Sequence, residues 1–523
     1  MSASREKRAR KGTQEEILQK QLAETAQQKT KTRKRVLTGI AVALVVVLLI
    51  GSIVLFNGPF FLNNSVAVTT GSHELTPVQA RYFYFDAFQE VVNNGYGSML
   101  TLMYGENTEI SSLVQDETTG ETWSDVVMDM ALENIRSTYA IYDKAMAEGY
   151  TLTEDGKAAL ATSMQTVGLY AQMNGMTADD YLRGVYGKGA NMESFEAYQT
   201  MLAIVNEYSV NVSESFTYDD ATLQAAYEAD PAAYDVFTYR SYFIPAETKD
   251  EAGNALEGDA LTAAMDEAKA QAEELAAAAE GNEEAYLAGC AEHSGNEDHL
   301  QGNLTMRANV NQSNMSLSIR DWVTDPARAA GETAAIEYEG SGYYVVYYLG
   351  SSANDYEALN VRSIFISAQT TDATGITLMD WEAADARLEA LKADIEASSD
   401  LLADMDTLAV DYSDDESTAY NGGAYEKLGK GIFETVVDEW LFAEGRQAGD
   451  TAIIQGTNGH YFLYVEGTAG SYRNVLVSNA LMLEDYNAWY QDLTAAATAT
   501  AVESGLKRMD KTLFTPASAS TGF

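Results

Sequence analysis

The chain has 523 residues, of which 46% are hydrophobic and 10% aromatic, with six prolines, one cysteine and a formal net charge of −45. That length holds three or four domains, and one cysteine excludes an intrachain disulfide. An acidic body repels nucleic acid, which excludes nucleic-acid binding. The charge is uneven: residues 1–35 carry eleven Lys and Arg against four Asp and Glu, leaving 22 basic and 74 acidic residues beyond them.

Residues 1–35 read as a basic, frayed cytoplasmic segment that anionic lipid would attract. Residues 36–56 then run V-L-T-G-I-A-V-A-L-V-V-V-L-L-I-G-S-I-V-L-F without a charge, enough to cross a hydrocarbon core of about 30 Å. Arg33, Lys34 and Arg35 precede it directly, so the positive-inside rule places the N-terminus in the cytoplasm and residues 57–523 outside. The stretch that follows, N-G-P-F-F-L-N-N, lacks an A-x-A-like cleavage site, which predicts an uncleaved single-pass anchor. No cysteine follows it to carry a lipid. An exported body without disulfides suits a Gram-positive-type cell envelope.

Residues 65–69 alternate like a strand, Gly71-Ser72 turns, and Glu74-Leu75 returns. Thr76-Pro77 opens a helix, with Thr as its cap and Pro at the first position. Tyr82, Phe83, Phe85, Phe88 and Val91 give it an apolar face, and Asn93-Asn94-Gly95 is its expected stop. Further helices are predicted at about 122–148, 153–173, 177–186 and 192–210. Residues 65–225 thus form an all-α domain. It is rich in methionine (Met99, Met103, Met128, Met130, Met146, Met164, Met173, Met176). Such residues either fill a helical core or make a surface that adapts to varied apolar partners.

From residue 232 the chain uses one pattern twice. Tyr239-Arg240-Ser241-Tyr242-Phe243-Ile244 precedes a block containing Trp322, Arg328, Gly331 and Tyr343; Val361-Arg362-Ser363-Ile364-Phe365-Ile366 precedes one containing Trp440, Arg446, Gly449 and Tyr461 at the same offsets. Arginine and tryptophan are separated by about 82 and about 78 residues, as expected of two copies of one domain. The first copy, 232–350, predicts a strand at 236–244, helices at 260–280 and 283–292, a polar loop at 294–314, a short helix with Trp322 and a closing strand from Tyr343 to Leu349. The second, 356–468, predicts a strand at 360–367, helices at 379–397 and 400–410, a polar loop at 412–424 and a closing strand from Tyr461 to Glu466. Each is a small α+β domain with helices against one antiparallel sheet. Cys290 reads as a small buried apolar residue, and Trp322 and Trp440 as packing residues. Residues 472–507 form a C-terminal helical segment, with a helix starting at Glu484 or Asp485, and the small polar tail 515–523 is expected to be disordered.

This order resembles exported foldases of the SurA and PrsA type, and the two repeats resemble parvulin (PpiC-type) peptidyl-prolyl isomerase domains. In the second repeat Val361-Arg362-Ser363-Ile364-Phe365-Ile366 is similar to the family's V-R-H-I-L-I, Tyr412-Ser413-Asp414-Asp415 to its Y-S-x-D, Gly422-Gly423 to its G-G and Gly459-His460-Tyr461-Phe462-Leu463 to its G-Y-H-I-I. The first repeat keeps Arg240-Ser241, Gly302 and Gly342-Tyr343-Tyr344 but replaces the Y-S-x-D loop with His293-Ser294-Gly295-Asn296. The resemblance implies a multidomain α+β chain: a transmembrane helix, an all-α SurA-like chaperone domain completed by 472–507, and two parvulin-like domains. It also implies a prolyl isomerase site built on two histidines and an acidic residue. Both histidine positions are substituted, by Ser363 and Tyr461 in the second repeat and by Ser241 and Tyr343 in the first. His460 lies one place early on its strand and should face away. The proline-pocket Met and Phe should fall near Gly431 and Thr435.

Ser363, Asp415 and Tyr461 are therefore the candidate catalytic residues. Prolyl isomerisation needs no nucleophile, only a pocket that desolvates the imide and favours its twisted state across a barrier of about 18–20 kcal/mol. His73, His293, His299 and His460 are too scattered for a metal site, and no cofactor motif is present. Three functions are expected of such a chain. The first is a membrane-anchored extracytoplasmic chaperone that binds unfolded or partly folded exported polypeptides through degenerate parvulin domains. The second is an active peptidyl-prolyl isomerase working through the second repeat. The third is an envelope scaffold for one partner.

Overall fold

The structure, a computed structural model, describes residues 45–46, 59–250, 252–371 and 375–516. The basic segment 1–35, the anchor 36–56 apart from Val45 and Val46, and residues 517–523 of the expected tail lie outside the described residues. Among the described residues no helix is long and apolar enough to cross a membrane. The architecture is mixed α+β and divides into two compact units, Met1–Ser215 with Tyr486–Phe523, and Phe216–Asp485.

The first unit is mainly helical. Strands β1 (Val68–Thr70) and β2 (His73–Leu75) form a hairpin. The helix Pro77–Val91 then starts on a capping box: the Thr76 side chain accepts from the Gln79 N–H, the Gln79 side chain accepts from the Thr76 N–H, and Pro77 takes the first helical position. Asn93-Asn94-Gly95 bends the helix rather than ending it. One π turn, Val92–Tyr96, absorbs the bend with Gly95 at φ 93°, and the chain continues as Gly97–Tyr104. Helices Trp123–Ala147, Glu154–Met173 and Ala178–Tyr186 begin at Thr122, Thr153 and Thr177, whose side chains each accept the N–H three residues on. Met192–Ser215 completes the set. Tyr82, Phe83, Phe88, Val127 and Ile135 lie in the shared core.

The chain's end returns to this core. Residues 499–501 pair antiparallel with β1, and Leu506, Met509 and Leu513 are buried with the helical side chains. Arg81 donates to the Thr512 carbonyl and the Tyr84 hydroxyl to the Lys511 carbonyl. Thr515 is buried and its hydroxyl donates to the Gly105 carbonyl, which corrects the expectation of a loose tail at that position. The preceding helix begins at Tyr472, not at Glu484 or Asp485, and runs unbroken to Ala495. Its last turns place Trp489, Tyr490 and Leu493 against Ile141, Ala145, Val205 and Tyr208.

The second unit holds the repeats. In the first, β3 (Val236–Pro245), β4 (Met306–Asn311), β5 (Thr333–Tyr338) and β6 (Gly342–Ser352) form an antiparallel sheet of order β4-β3-β6-β5. In the second, β7 (Glu357–Ser367), β10 (Ala424–Leu428), β11 (Thr451–Gln455) and β12 (Gly459–Ser471) form the same sheet, β10-β7-β12-β11. A hairpin, β8 (Gln369–Thr371) and β9 (Thr377–Met379), is added after β7. The polar loop expected over 294–314 contains the edge strand β4, and the loop over 412–424 leads through a short helix, Glu416–Ala419, into β10.

Each sheet is covered on both faces, not one. Helices Gly258–Ala279 and Glu283–Ser294 pack on Ile244, Val345 and Tyr347, with Cys290 buried among them. Leu317–Val323 packs on Tyr239, Val346 and Tyr348 from the other side. In the second repeat Trp381–Ala397 and Leu401–Tyr412 cover Ile364, Ile366 and Phe462, and Thr435–Leu441 covers Val361, Leu463 and Val465. The conserved offsets within the chain have a physical cause. Arg328 lies 4.1 Å from the centre of the Trp322 ring and Arg446 3.8 Å from that of Trp440. Both arginines donate Nε–H to the carbonyl of the same tryptophan and pair with an acid four residues on, Glu332 or Asp450. The tryptophans are packing residues.

Candidate active and binding site

Antiparallel register decides which side chains share the site. Ser363 is opposite Leu463, and Phe365 opposite Tyr461, across β7 and β12. All four therefore project from the face covered by Thr435–Leu441. His460, opposite Ile366, projects from the other face, as expected. It is buried there beside Trp381, with Nε2 2.8 Å from Asp385 Oδ1. Ser363 is only 2% exposed, and its N–H donates to the Gly423 carbonyl at 2.8 Å.

The accessible part of the site is aromatic. The Tyr461 ring lies 4.7 Å from Phe365 and 5.9 Å from Phe433, and Phe433 lies 4.8 Å from Tyr425. The Tyr425 hydroxyl donates to Asp415 Oδ2 at 2.7 Å. Asp415 and Tyr461 thus belong to one cluster, joined through Tyr425 and Phe433, while Ser363 lies buried in the sheet behind. Phe433 was not identified from the sequence, where the pocket wall was placed near Gly431 and Thr435. The signal available was one aromatic residue in the glycine- and lysine-rich turn K-L-G-K-G-I-F.

The electrostatics give each polar group a fixed state. Burial raises the Asp415 carboxyl, but hydrogen bonds from Ser417, Thr418 and Tyr425 outweigh it and hold the group below the ordinary carboxylate range. Burial, followed by the Glu434 carboxylate that its hydroxyl meets, pushes Tyr461 up to about 12. Burial and Asp415 push Tyr425 up to about 12 as well. At neutral pH the site therefore holds two neutral tyrosine hydroxyls, each against a carboxylate, Asp415 or Glu434, above an aromatic floor. Such an arrangement can desolvate a proline ring, and the Tyr461 hydroxyl could donate to its imide only by leaving Glu434. The site holds no group poised to exchange protons near pH 7.

The first repeat differs from expectation. Ser241 is opposite Val346 and Phe243 opposite Tyr344, so Tyr344, not Tyr343, occupies the place of Tyr461. Tyr343 is opposite Ile244 and takes the place of His460. The cause is the turn between the last two strands: Gly331 precedes β5 as Gly449 precedes β11, but β11 is one residue shorter. A serine and a tyrosine still share a face in both copies. Phe243, Tyr338 and Tyr344 cluster at 5.1–5.8 Å, and Met315 is buried beneath the same face. His293 lies on the opposite face, 2.9 Å from the Tyr242 hydroxyl. Among the described residues no group of three or more His, Cys, Asp or Glu could hold a metal ion.

The helical unit offers a different surface. Met99, Met103, Met146, Met173 and Met176 are exposed, Met128 is buried, and Met130 and Met164 pack partly buried against the core. The densest run is on Gly97–Tyr104, where Leu102 is 87% and Met103 59% exposed beside exposed Tyr96 and Met99.

No protein-family model matches the chain, and no curated protein matches it. Solved structures that match include the peptidylprolyl isomerase PrsA of Bacillus anthracis, at 15% identity and a TM-score of 0.17, over 30% of this chain. This chain spans about three fifths of that protein's length, 61%.

Proposed function

We propose that the chain is a membrane-anchored extracytoplasmic chaperone that binds non-native exported polypeptides. Its helical unit, residues 65–225 closed by the C-terminal segment 472–507, supplies the main binding surface, and two degenerate parvulin-like domains, 232–350 and 356–468, accompany it. The observation that carries this reading is the exposed apolar run Tyr96, Met99, Leu102 and Met103 on a short helix beyond a bend. Large apolar side chains in such density mark a surface that meets other chains, and methionine suits partners of varied shape. The anchor over 36–56 and the outward orientation of the body rest on the uncharged run and the Arg33-Lys34-Arg35 flank. The full chain in nanodiscs is expected to suppress aggregation of several unrelated unfolded proteins. Leu102→Ser with Met103→Ser is expected to reduce that suppression several-fold. Capture of one partner with no effect on the others would replace this reading with a scaffold.

A second reading, prolyl isomerisation by the second repeat through Asp415 and Tyr461 with Ser363 behind them, is favoured by the aromatic cluster around Tyr461. A protease-coupled isomerisation assay decides it. Turnover that Tyr461→Phe abolishes supports it, and no turnover above background leaves the repeat as a binding fold.

A further inference from the structure

The two repeats enclose a cleft of about 710 Å3 within the unit Phe216–Asp485. One wall is the edge strand β4, through Ala308, Asn309 and Asn311. β4 is the last strand in its sheet order, so its outer edge pairs with no strand among the described residues. This edge is bulged at Ala308 and Asn309, where Asn309 has φ 52°, and beside the bulge it is open to pairing with an extended chain.

The other wall is aromatic. Tyr356 stacks on Tyr472 at 5.3 Å and meets Phe442 edge-on at 5.4 Å. Lys430 holds its ammonium over the Tyr356 ring at 4.5 Å and keeps one positive charge in the cleft beside Asp438 and Glu439. Between these walls stands Asp438. Its Oδ2 accepts the Gly431 N–H, whereas its Oδ1 is buried with no hydrogen-bond partner. Burial pushes this carboxyl up, against the Gly431 N–H, Lys430 and the Phe433 N–H. Glu439 lines the same cleft. An incoming cation would pair with the Asp438 and Glu439 carboxylates that line the cleft. It would also be drawn by a chain that carries 74 acidic and 22 basic residues beyond position 35.

We propose that this cleft binds an extended polypeptide segment bearing a lysine or arginine. Its backbone pairs along the β4 edge, its apolar side chains lie on Tyr356, Phe442 and Tyr472, and its cation reaches Asp438. The inference rests on the chaperone reading and adds to it a second site with a defined chemistry. Backbone pairing is indifferent to sequence, and the carboxylate selects for charge. The cleft therefore takes basic extended segments, while the helical surface takes apolar ones.

The test uses the full chain in nanodiscs and a fluorescent nine-residue peptide of alternating Val and Thr with one central Lys. The photoreactive p-benzoylphenylalanine replaces Ala308 in one protein and Leu102 in another. The Lys peptide is expected to crosslink at position 308 and to lose affinity about tenfold in Asp438→Asn, the scale of a hydrogen bond to a charged group. Asn keeps an acceptor for the Gly431 N–H. A peptide with Glu in place of Lys, or with N-methyl groups on alternate residues, is expected to bind the unaltered protein at least tenfold more weakly. These peptides keep the test decisive if Asp438→Asn fails to fold. Crosslinking at 102 but not at 308 would overturn the cleft proposal and leave the chaperone reading standing. A crosslink from 308 to a second copy of the chain, or equal binding of the Lys and Glu peptides, would also overturn it. If no peptide binds and aggregation is not suppressed, the chaperone reading itself fails.

Discussion

Asp415 shows how a partly buried acid is held ionised by the hydroxyls around it. Its carboxylate caps the short helix Glu416–Ala419 and accepts from Ser417, Thr418 and Tyr425. Those bonds hold its folded pKa below the unfolded value, which for aspartate is about 3.9. Stability from this source is therefore fully present above the unfolded pKa and is lost as the pH falls through the depressed folded one. Asp415→Asn is expected to cost about 1–2 kcal/mol at pH 7. The gap between the urea midpoints of the two proteins should close as the pH is lowered below about 4. A gap that stays constant with pH would mean that the carboxylate's charge contributes nothing. The residue was singled out from the resemblance of Tyr412-Ser413-Asp414-Asp415 to a Y-S-x-D loop; that it caps Glu416–Ala419 is seen only in the structure. Phe433 was not legible, because Tyr461 is distant in sequence and only the fold brings its ring to Phe433 and the nearby Tyr425.

At the scale of elements, the Gly422-Gly423 pair fixes the edge of the second sheet. Gly423 has φ 73°, and a Cβ there would overlap the backbone of Ser363, which the Gly423 carbonyl also bonds. Gly423→Ala is expected to cost about 3 kcal/mol, combining left-handed strain with displacement of the strand. Gly445→Ala, at φ 84° with open space around its Cβ, should cost only about 1–2 kcal/mol from backbone strain alone. Urea unfolding of both variants measures the difference, and equal losses would remove the role given to the close approach. The strands and helices with apolar periodicity were readable: 236–244 is seen as Val236–Pro245, and 153–173 as Glu154–Met173. β4 was missed although Met306–Asn311 alternates apolar and polar residues, because it is a short, largely exposed edge strand set among polar residues and broken by Asn309 at φ 52°. The equivalence of Tyr343 with Tyr461 failed for a related reason. Side-chain offsets measured from Trp322 and Trp440 pass through a turn that differs by one residue, and one residue moves a strand side chain to the opposite face.

The molecule as a whole joins described segments from before Ser215 and after Tyr486 in one unit and holds two sheets of matching strand order in the other. The sequence announces the duplication through its matched offsets, but not the depth to which the C-terminus enters the helical core. Leu506 closes the segment 472–507 expected to complete the helical domain, whereas Met509 and Leu513 lie beyond it, in a short polar stretch whose carbonyls Arg81 and Tyr84 bond. Burial of each such side chain contributes about 1.5–3 kcal/mol. Three together rival the 5–15 kcal/mol that holds a domain folded. Removing residues 499–523 would also strip the strand from β1 and leave the buried Arg81 guanidinium, whose Nη1 already lacks a partner, without its Thr512 acceptor. The truncated chain is therefore expected to lose the cooperative melting of the first unit, read by calorimetry and by the emission of the buried Trp123. The second unit carries its own reporter. Cys290 is fully buried among the helices of the first repeat, and burial pushes its thiol up to about 12. A thiol reagent should therefore reach it only when that unit opens. Cys290 labelling should proceed at the same rate in the truncated and full chains. Faster labelling after truncation would show that the repeats draw their stability from the helical unit and not from their own paired cores.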